Sequence, residues 1–262
     1  MKVALVAIRR NTLLQEKMCN MKALQFQISG RTAHFKRPDV NTYAYFTYSH
    51  IHKVALYGIL GAIVGLKGYA DQGKAVFPEF YEKLKDLEVA IVPISKKAGL
   101  FSKKIQTFNN SVGYASKEQG NNLIVKEQWL EDVCWRIYLS LDSKMDNGTL
   151  EKLSDYLLQS SSVFTPYLGK NDHPATIDHV KIVDLVHSTD ADTLNSLFYY
   201  NQVQLDDGSV DYAPSFTLKD EMPIGINEHG MYLYEKIGLT NRIVLHSERP
   251  IYQCDEEFIS FL

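Results

Sequence analysis

The sequence has few cysteines, and none of them lies in a pattern that binds metal or builds a disulfide framework. Cys19, Cys134 and Cys254 are its three thiols among 262 residues, and they lie far apart. An odd number of cysteines with no CxxC pair or Cys/His spacing is typical of free thiols in a reducing compartment. We therefore expect no metal site and no cofactor.

Long apolar runs are also missing. The longest covers residues 54–66, well short of the roughly 20 residues that a spanning helix needs. The apolar stretch near the amino terminus is short for a signal peptide, and no small-residue cleavage site follows it. These features predict no membrane partner and a cytoplasmic location. Because recognisable organisation begins after Met21, residues 1–20 are interpreted as a leader or a mis-called start.

Signatures of common catalytic sites are absent as well. Gly58, Gly61 and Gly65 lie inside a predicted helix and lack the GK[ST] of a P-loop. No G-x-S-x-G nucleophile elbow occurs. Asp190 and Asp192 are spaced like metal ligands, but a solvated loop is the simpler interpretation.

The sequence does have a strong division of charge. Residues 1–126 carry 19 Lys/Arg against 8 Asp/Glu, a net charge of +11, whereas residues 127–262 carry 9 against 23, a net charge of −14. The overall value of −3 hides this basic half. Such asymmetry predicts one face for a polyanion and an acidic part that meets solvent or a basic protein partner.

The hydrophobic pattern predicts an α+β chain. Strands are expected at residues 22–29, 88–94, 123–141 and 177–186, and helices from a Ser49 cap through residue 66 and over residues 149–159. Gly30 is expected to end the first strand. Residues 95–122 are polar, basic and poor in apolar side chains, which is typical of a protruding hairpin or long excursion. The acidic remainder is expected to be loop-rich, with short strands near residues 231–234 and 243–246.

Basic and aromatic residues cluster in segments that suit single-stranded RNA. Cations can neutralise phosphates, tyrosines can stack on unpaired bases, and a glycine lets backbone N–H groups approach closely. The candidate RNA-binding residues are Gly30, Arg31, Lys36, Arg37, Tyr43, Tyr48, His50, Lys53, Lys103, Lys104, Lys170 and Asn171. Each has a simpler alternative, which is a core position for the tyrosines, a solvated face for the lysines and a plain turn for the later loop.

Three stretches carry a resemblance to a known family. They read FQISGRTAHFKRP over residues 26–38, TYSHIHKVALYGILGAIVGLKGY over residues 47–69, and PYLGKNDHPA over residues 166–175. Together they resemble the family-five CRISPR-associated proteins of the repeat-associated RNA-binding superfamily, with the type I-B subgroup closest in look.

The resemblance implies a ferredoxin-like RNA-recognition domain over residues 21–195, with a β-hairpin thumb at about residues 95–122. Residues 196–262 would form a C-terminal extension packed on it. The implied function is that of a non-catalytic subunit of a type I Cascade surveillance complex. Such a subunit binds the 5′ handle of the guide crRNA, caps the backbone filament and adjoins the large subunit.

One branch of the family, in type I-C complexes, cuts precursor RNA itself, so a metal-independent endoribonuclease is the alternative. His50, His52, Lys53 and Tyr48 offer the residue types that such cleavage needs near neutral pH. The cutting relatives, however, place a Lys-His dipeptide in the hairpin region. Residues 95–122 contain no histidine, which counts against catalysis.

Overall fold

The computed structural model describes residues 20–40, 43–111, 113, 117, 123–206 and 214–262. The leader expected at residues 1–20 lies outside these ranges except for its last residue. The described part of the chain contains twelve strands and three α-helices, which confirms a mixed α/β fold. The strands are β1 Met21–Ala33, β2 Val89–Pro93, β3 Ser102–Asn109, β4 Ile124–Ser140, β5 Thr176–Ser188, β6 Phe198–Tyr199, β7 Val203–Leu205, β8 Thr217–Ile226, β9 Tyr232–Thr240, β10 Val244–Ser247, β11 Ile251–Cys254 and β12 Glu257–Ile259. The helices are α1 Lys53–Val64, α2 Glu79–Leu84 and α3 Asn147–Leu158.

Seven strands form one antiparallel sheet in the order β12-β11-β5-β1-β4-β2, with β3 paired to β4. Its central strand, β1, alternates as the sequence predicts. Leu24, Phe26 and Ile28 point into the main core beneath the helices. The strand does not end at Gly30, as expected, but continues to Ala33, because Gly30 pairs with Val133 in the β4 ladder.

Helix α1 begins later than the sequence suggested. Its N-cap is His52, whose side chain accepts the N–H of Ala55 at 3.2 Å, and not Ser49, whose N–H is bound by Asp220. Gly61 on this helix lies against α2, where an added Cβ would come within 2.6 Å of Phe80 Cβ. The close packing that the glycine pattern indicated therefore occurs at this position.

A long hairpin extends beyond the main sheet. β3 pairs with the first half of β4, from Ser102 opposite Glu131 to Asn109 opposite Ile124. The second half of β4 pairs with β1 and β2 instead. The excursion expected at residues 95–122 thus contains β3, while residues 112, 114–116 and 118–122 lie outside the described ranges.

The acidic part of the chain contains more strands than its composition suggested, since β6 to β12 all lie there. β11 and β12 extend the main sheet beyond β5. The sheet also curls, because the N–H of Leu262 donates to the carbonyl oxygen of Val89 on the opposite edge strand. Within the described ranges, no helix is long and apolar enough to cross a bilayer.

Candidate nucleic-acid interface

Two segments far apart in sequence meet at the end of β1. The N–H of His34 donates to the carbonyl oxygen of Leu168 at 3.1 Å, and the N–H of Leu168 donates to that of His173 at 2.7 Å. Between them Gly169 has a φ of 91°, and a Cβ there would lie 2.0 Å from the carbonyl oxygen of His34. Only glycine allows the loop of residues 166–175 to pack this closely on β1.

Gly30 contributes to the same junction. A Cβ at this position would lie 2.6 Å from Leu168 Cδ1 and 3.0 Å from the carbonyl oxygen of Pro174. The protein's own loop therefore fills the space that the missing side chain leaves. Gly30 serves tertiary packing here, and its contact with RNA stays a prediction.

A buried carboxylate lies beside this junction. Glu127 accepts a hydrogen bond from Lys170 at 2.7 Å and another from the Trp129 indole at 2.9 Å. Burial alone would raise the pKa of Glu127, but these bonds and nearby positive charge outweigh it and hold that pKa below its usual value. Lys170 thus compensates a buried charge of the protein and is not a free cation.

Two buried histidines flank this carboxylate, and sequence reasoning did not single them out. His34 Nδ1 lies 2.9 Å from the carbonyl oxygen of Gln128, and His173 Nδ1 lies 2.7 Å from Thr32 Oγ1. Burial lowers the pKa of both rings, that of His173 to about 4. Neither Nε2 atom has a hydrogen-bond partner among the described residues. Only the folded loop brings the two rings together, with centroids 6.5 Å apart.

The aromatic segment after β1 runs along β4. The N–H of Tyr45 donates to the carbonyl oxygen of Lys126, and the N–H of Gln128 donates to that of Tyr45, both at 2.9 Å. Lys36 Nζ lies 3.8 Å from the centre of the Tyr45 ring, and Lys126 Nζ lies 4.3 Å from that of Tyr43. Tyr43 is 71% exposed. Aromatic rings and ammonium groups therefore alternate on one surface.

The hairpin adds exposed cations beside this segment. Lys103 and Lys104 are exposed neighbours on β3, so they project from opposite faces of the hairpin, and Lys103 lies on the same face as Lys126. Lys103 Nζ donates to Ser49 Oγ at 3.2 Å, and partial burial lowers its pKa. Within the described ranges, Lys36, Lys103, Lys104 and Lys126 form no ion pair with a carboxylate. We call these four lysines, together with Tyr43 and Tyr45, the basic surface, which includes both faces of the hairpin.

Of two further predicted cations, one is already ion-paired and the other lies apart from the basic surface. Arg37 forms ion pairs with Asp39 at 3.0 Å and with Asp220 of β8 at 2.9 Å. Arg31 lies within β1 between Gly30 and Thr32, which face the loop, so alternation directs its exposed side chain to the other side of the sheet.

Three predicted RNA-binding residues are enclosed by the protein. Tyr48 and His50 are buried, and Lys53 Nζ donates to the main-chain oxygen of Leu262 at 2.7 Å. Burial lowers the pKa of His50 to about 3 and that of Lys53 to about 8. In this conformation they present no open face to RNA. Asn171 is exposed in the turn after Lys170.

Helix α1 forms the floor of a groove of about 920 Å³, which we call the α1 groove. Its floor contains the small residues Ala55, Gly58 and Ala62, which share one helical face at i, i+3 and i+7. Aromatic side chains line its sides, and a lysine lies toward each end. They are Tyr69, Phe164, Tyr167 and Tyr232, with Lys36 and Lys67. All three segments that carried the family resemblance contribute to this lining.

The model of one protein family matches most of the chain. The family is described as CRISPR-associated protein (Cas_Cas5), and its model covers residues 23–234. No curated protein sequence matches this chain.

Solved structures of CRISPR proteins are similar to the chain in shape. A structure titled CRISPR RNA-guided surveillance complex has 12% identity and a TM-score of 0.49, covering 85% of this chain and 91% of the other. A CRISPR protein from Archaeoglobus fulgidus has 9% identity and a TM-score of 0.49, covering 92% of this chain and 100% of the other. Both TM-scores are below 0.5, so the family assignment rests on the sequence match alone.

Proposed function

The chain belongs to the CRISPR-associated protein (Cas_Cas5) family, and we propose that it is the Cascade subunit that binds the 5′ handle of the guide crRNA. In this proposal the chain holds RNA without cutting it and acts in the cytoplasm. The subtype, with I-B as the expectation, stays a prediction. The observation that carries the proposal is the basic surface, whose four lysines have no ion-pair partner among the described residues. Two of them, Lys36 and Lys126, lie over the rings of Tyr45 and Tyr43.

The topology supports a ferredoxin-like domain over residues 21–195. The strands β5-β1-β4-β2 lie side by side and are all antiparallel, while α1 and α3 follow β1 and β4 in the chain. That arrangement is the order expected of a split βαβ fold. The β3–β4 hairpin would be the thumb. Residues 196–262 would be an extension of the same domain, since β11 and β12 continue its sheet.

Electrostatics favours the four lysines of the basic surface over the predicted cations that are already paired. Phosphates gain most from cations that no carboxylate already neutralises, because an existing ion pair must first be broken. Lys36, Lys103, Lys104 and Lys126 meet that condition among the described residues, and Arg37 and Lys170 do not. The exposed ring of Tyr43 adds a stacking face, the usual way of holding unpaired bases.

A non-catalytic role is favoured by burial. The residue set that offered cleavage chemistry was His50, His52, Lys53 and Tyr48. Three of these are buried and Lys53 is bound to Leu262, so an RNA 2′-hydroxyl would reach none of them without local opening. The endoribonuclease remains the alternative that experiment must test.

The protein partners would be the backbone filament subunit and the large subunit of Cascade. The net charge of −14 over residues 127–262 suits a basic protein surface better than it suits RNA.

Binding of the handle tests this function. The full chain would be titrated with fluorescent handle RNA from its own repeat, at several salt concentrations. Replacing Lys36, Lys104 and Lys126 by alanine should weaken binding and flatten its salt dependence. Lys22, Lys83 and Lys144, three exposed lysines outside the basic surface, provide the charge-matched control. Equal losses in the test and control variants would remove the basic surface from the proposal.

Cleavage is tested separately. The purified chain would be incubated with full-length repeat RNA in EDTA, and the products separated on a denaturing gel. We expect intact RNA. Cleavage at the handle boundary that persists in EDTA would establish the endoribonuclease instead.

A further inference from the structure

We propose that the α1 groove holds one unstacked nucleobase of the guide RNA handle, stacked against its aromatic walls. The inference rests on the proposed function and deepens it, because it assigns a base to a site distinct from the phosphate-binding lysines. The groove volume of about 920 Å³ is within the range of pockets that bind small planar ligands, about 300–1,000 Å³.

The floor of the groove contains a glycine that packing does not explain. Gly61 on the same helix is required, since a Cβ there would lie 2.6 Å from Phe80 Cβ. A Cβ on Gly58 would meet nothing nearer than Phe80 Cε2 at 4.0 Å. Glycine destabilises a helix interior relative to alanine, so its presence at an open position calls for another reason. A flat floor that accepts a planar ring supplies that reason.

The walls are aromatic and open to solvent. Tyr69 is 53% exposed, Phe164 is 55% exposed and Tyr167 is 41% exposed. The wall that carries Phe164 is fixed to the floor, because its N–H donates to the carbonyl oxygen of Ala62 at 3.1 Å. Exposed rings held by main-chain bonds are preorganised for stacking, which accepts any base because every base has a π-face.

Charge distinguishes a nucleobase from other occupants. Lys36 and Lys67 are exposed at the ends of the groove, while Asp71 is the one acidic residue in its described lining. A base in the apolar interior would leave its phosphates outside, next to these ammonium groups. Lys36 also belongs to the basic surface, so the groove and that surface form one continuous path. An apolar protein side chain would fit the walls but would gain nothing from the two lysines.

The test combines a filled groove with RNAs that lack single bases. Gly58→Leu projects a side chain into open space above the floor, so the variant should melt at or above the wild-type temperature. Gly58→Ala is the matched control, since it makes the same helix change without filling the groove. Each protein would be titrated with the intact handle RNA and with a set of handle RNAs carrying one abasic position each.

One abasic position should weaken wild-type binding by about 5- to 150-fold, as expected for loss of one base–aromatic stack. The Gly58→Leu variant should bind this abasic RNA at least as tightly as it binds the intact handle RNA. Tyr167→Ala should reproduce this pattern, and Tyr167→Phe should retain the wild-type discrimination.

Two outcomes would overturn the inference. In one, no abasic position is coupled to Gly58→Leu, although the lysine variants still lose affinity, and the proposed function then stands without a base pocket. In the other, Gly58→Leu blocks assembly with a Cascade subunit and leaves RNA binding intact, so the groove is a protein site. The proposed function itself would fail if the lysine variants bound the handle RNA as tightly as the wild type does. That result can be told apart from failure of the base pocket.

Discussion

Lowering the pH from 7.5 to 5.0 should destabilise the chain, and His50 and His52 should account for a measurable part of the loss. Both side chains are buried. The neutral ring is the bound form in each case, because Trp135 Nε1 donates to His50 Nδ1 at 3.4 Å and the N–H of Ala55 donates to His52 Nδ1 at 3.2 Å. Burial lowers both pKa values to about 3.

The direction and size of the effect follow from linkage. The unfolded chain binds a proton on each histidine below about pH 6.5, whereas the folded chain does so only near pH 3, so stability is complete above pH 6.5 and falls as the pH drops. At pH 5.0 each histidine costs about 2 kcal/mol, and the pair costs about 4 kcal/mol. A domain with a total stability of about 5–15 kcal/mol would lose a substantial share.

The assay is the free energy of unfolding in urea, measured at half-unit steps between pH 7.5 and 5.0. His50→Asn and His52→Asn retain an acceptor near the Nδ1 position but do not titrate. Each variant changes the absolute stability, so the informative quantity is the slope of that free energy against pH. For each histidine removed, the slope should fall by about 0.8 kcal/mol per pH unit on average over this range, and by about 1.4 kcal/mol per pH unit close to pH 5. Identical slopes in the double variant and the wild type would refute the assignment.

Two further predictions concern the basic surface and the loop that packs on β1. Replacing Lys104 and Lys126 together by alanine should lower the salt slope of handle binding by about 1.4, since each phosphate contact on a single strand contributes about 0.7. A lower affinity with an unchanged slope would mean that the lysines act through folding. Gly169→Ala should be strongly destabilising, because the new Cβ would collide with the carbonyl oxygen of His34. Gly73→Ala, also at positive φ but in open space, should cost only about 1–2 kcal/mol in thermal or urea unfolding. Equal losses would contradict the packing argument.

The sequence by itself was sufficient for features that depend on local pattern. The alternation of Leu24, Phe26 and Ile28 determined which face of β1 is buried. The family assignment came from short stretches of sequence, and the match over residues 23–234 confirmed it. Low apolar content indicated the hairpin, since a segment with little to bury extends beyond the core.

Local pattern was misleading where distant contacts compete with it. Ser49 has the chemistry of an N-cap, but Asp220 binds its N–H, and the helix begins after His52 instead. Gly30 resembles a strand end, yet the ladder with β4 continues through it to Ala33 because Leu168 fills the space beside it. The deciding partners, Asp220 for Ser49 and Val133 of the β4 ladder for Gly30, both lie more than a hundred residues away in the chain.

In the candidate interface, too, some features follow from local sequence and others depend on distant contacts. Composition identified the basic half of the chain and the aromatic segment, because residue type alone makes a cation or a ring. The tertiary structure decided which cations remain free. Arg37 is paired with Asp220, 183 positions away, while Lys36 lies over the Tyr45 ring and forms no ion pair with a described residue. It also created the α1 groove, whose floor and walls come from three separate segments. Charge and shape at a surface depend on what the fold brings together, and no local window of the sequence contains that information.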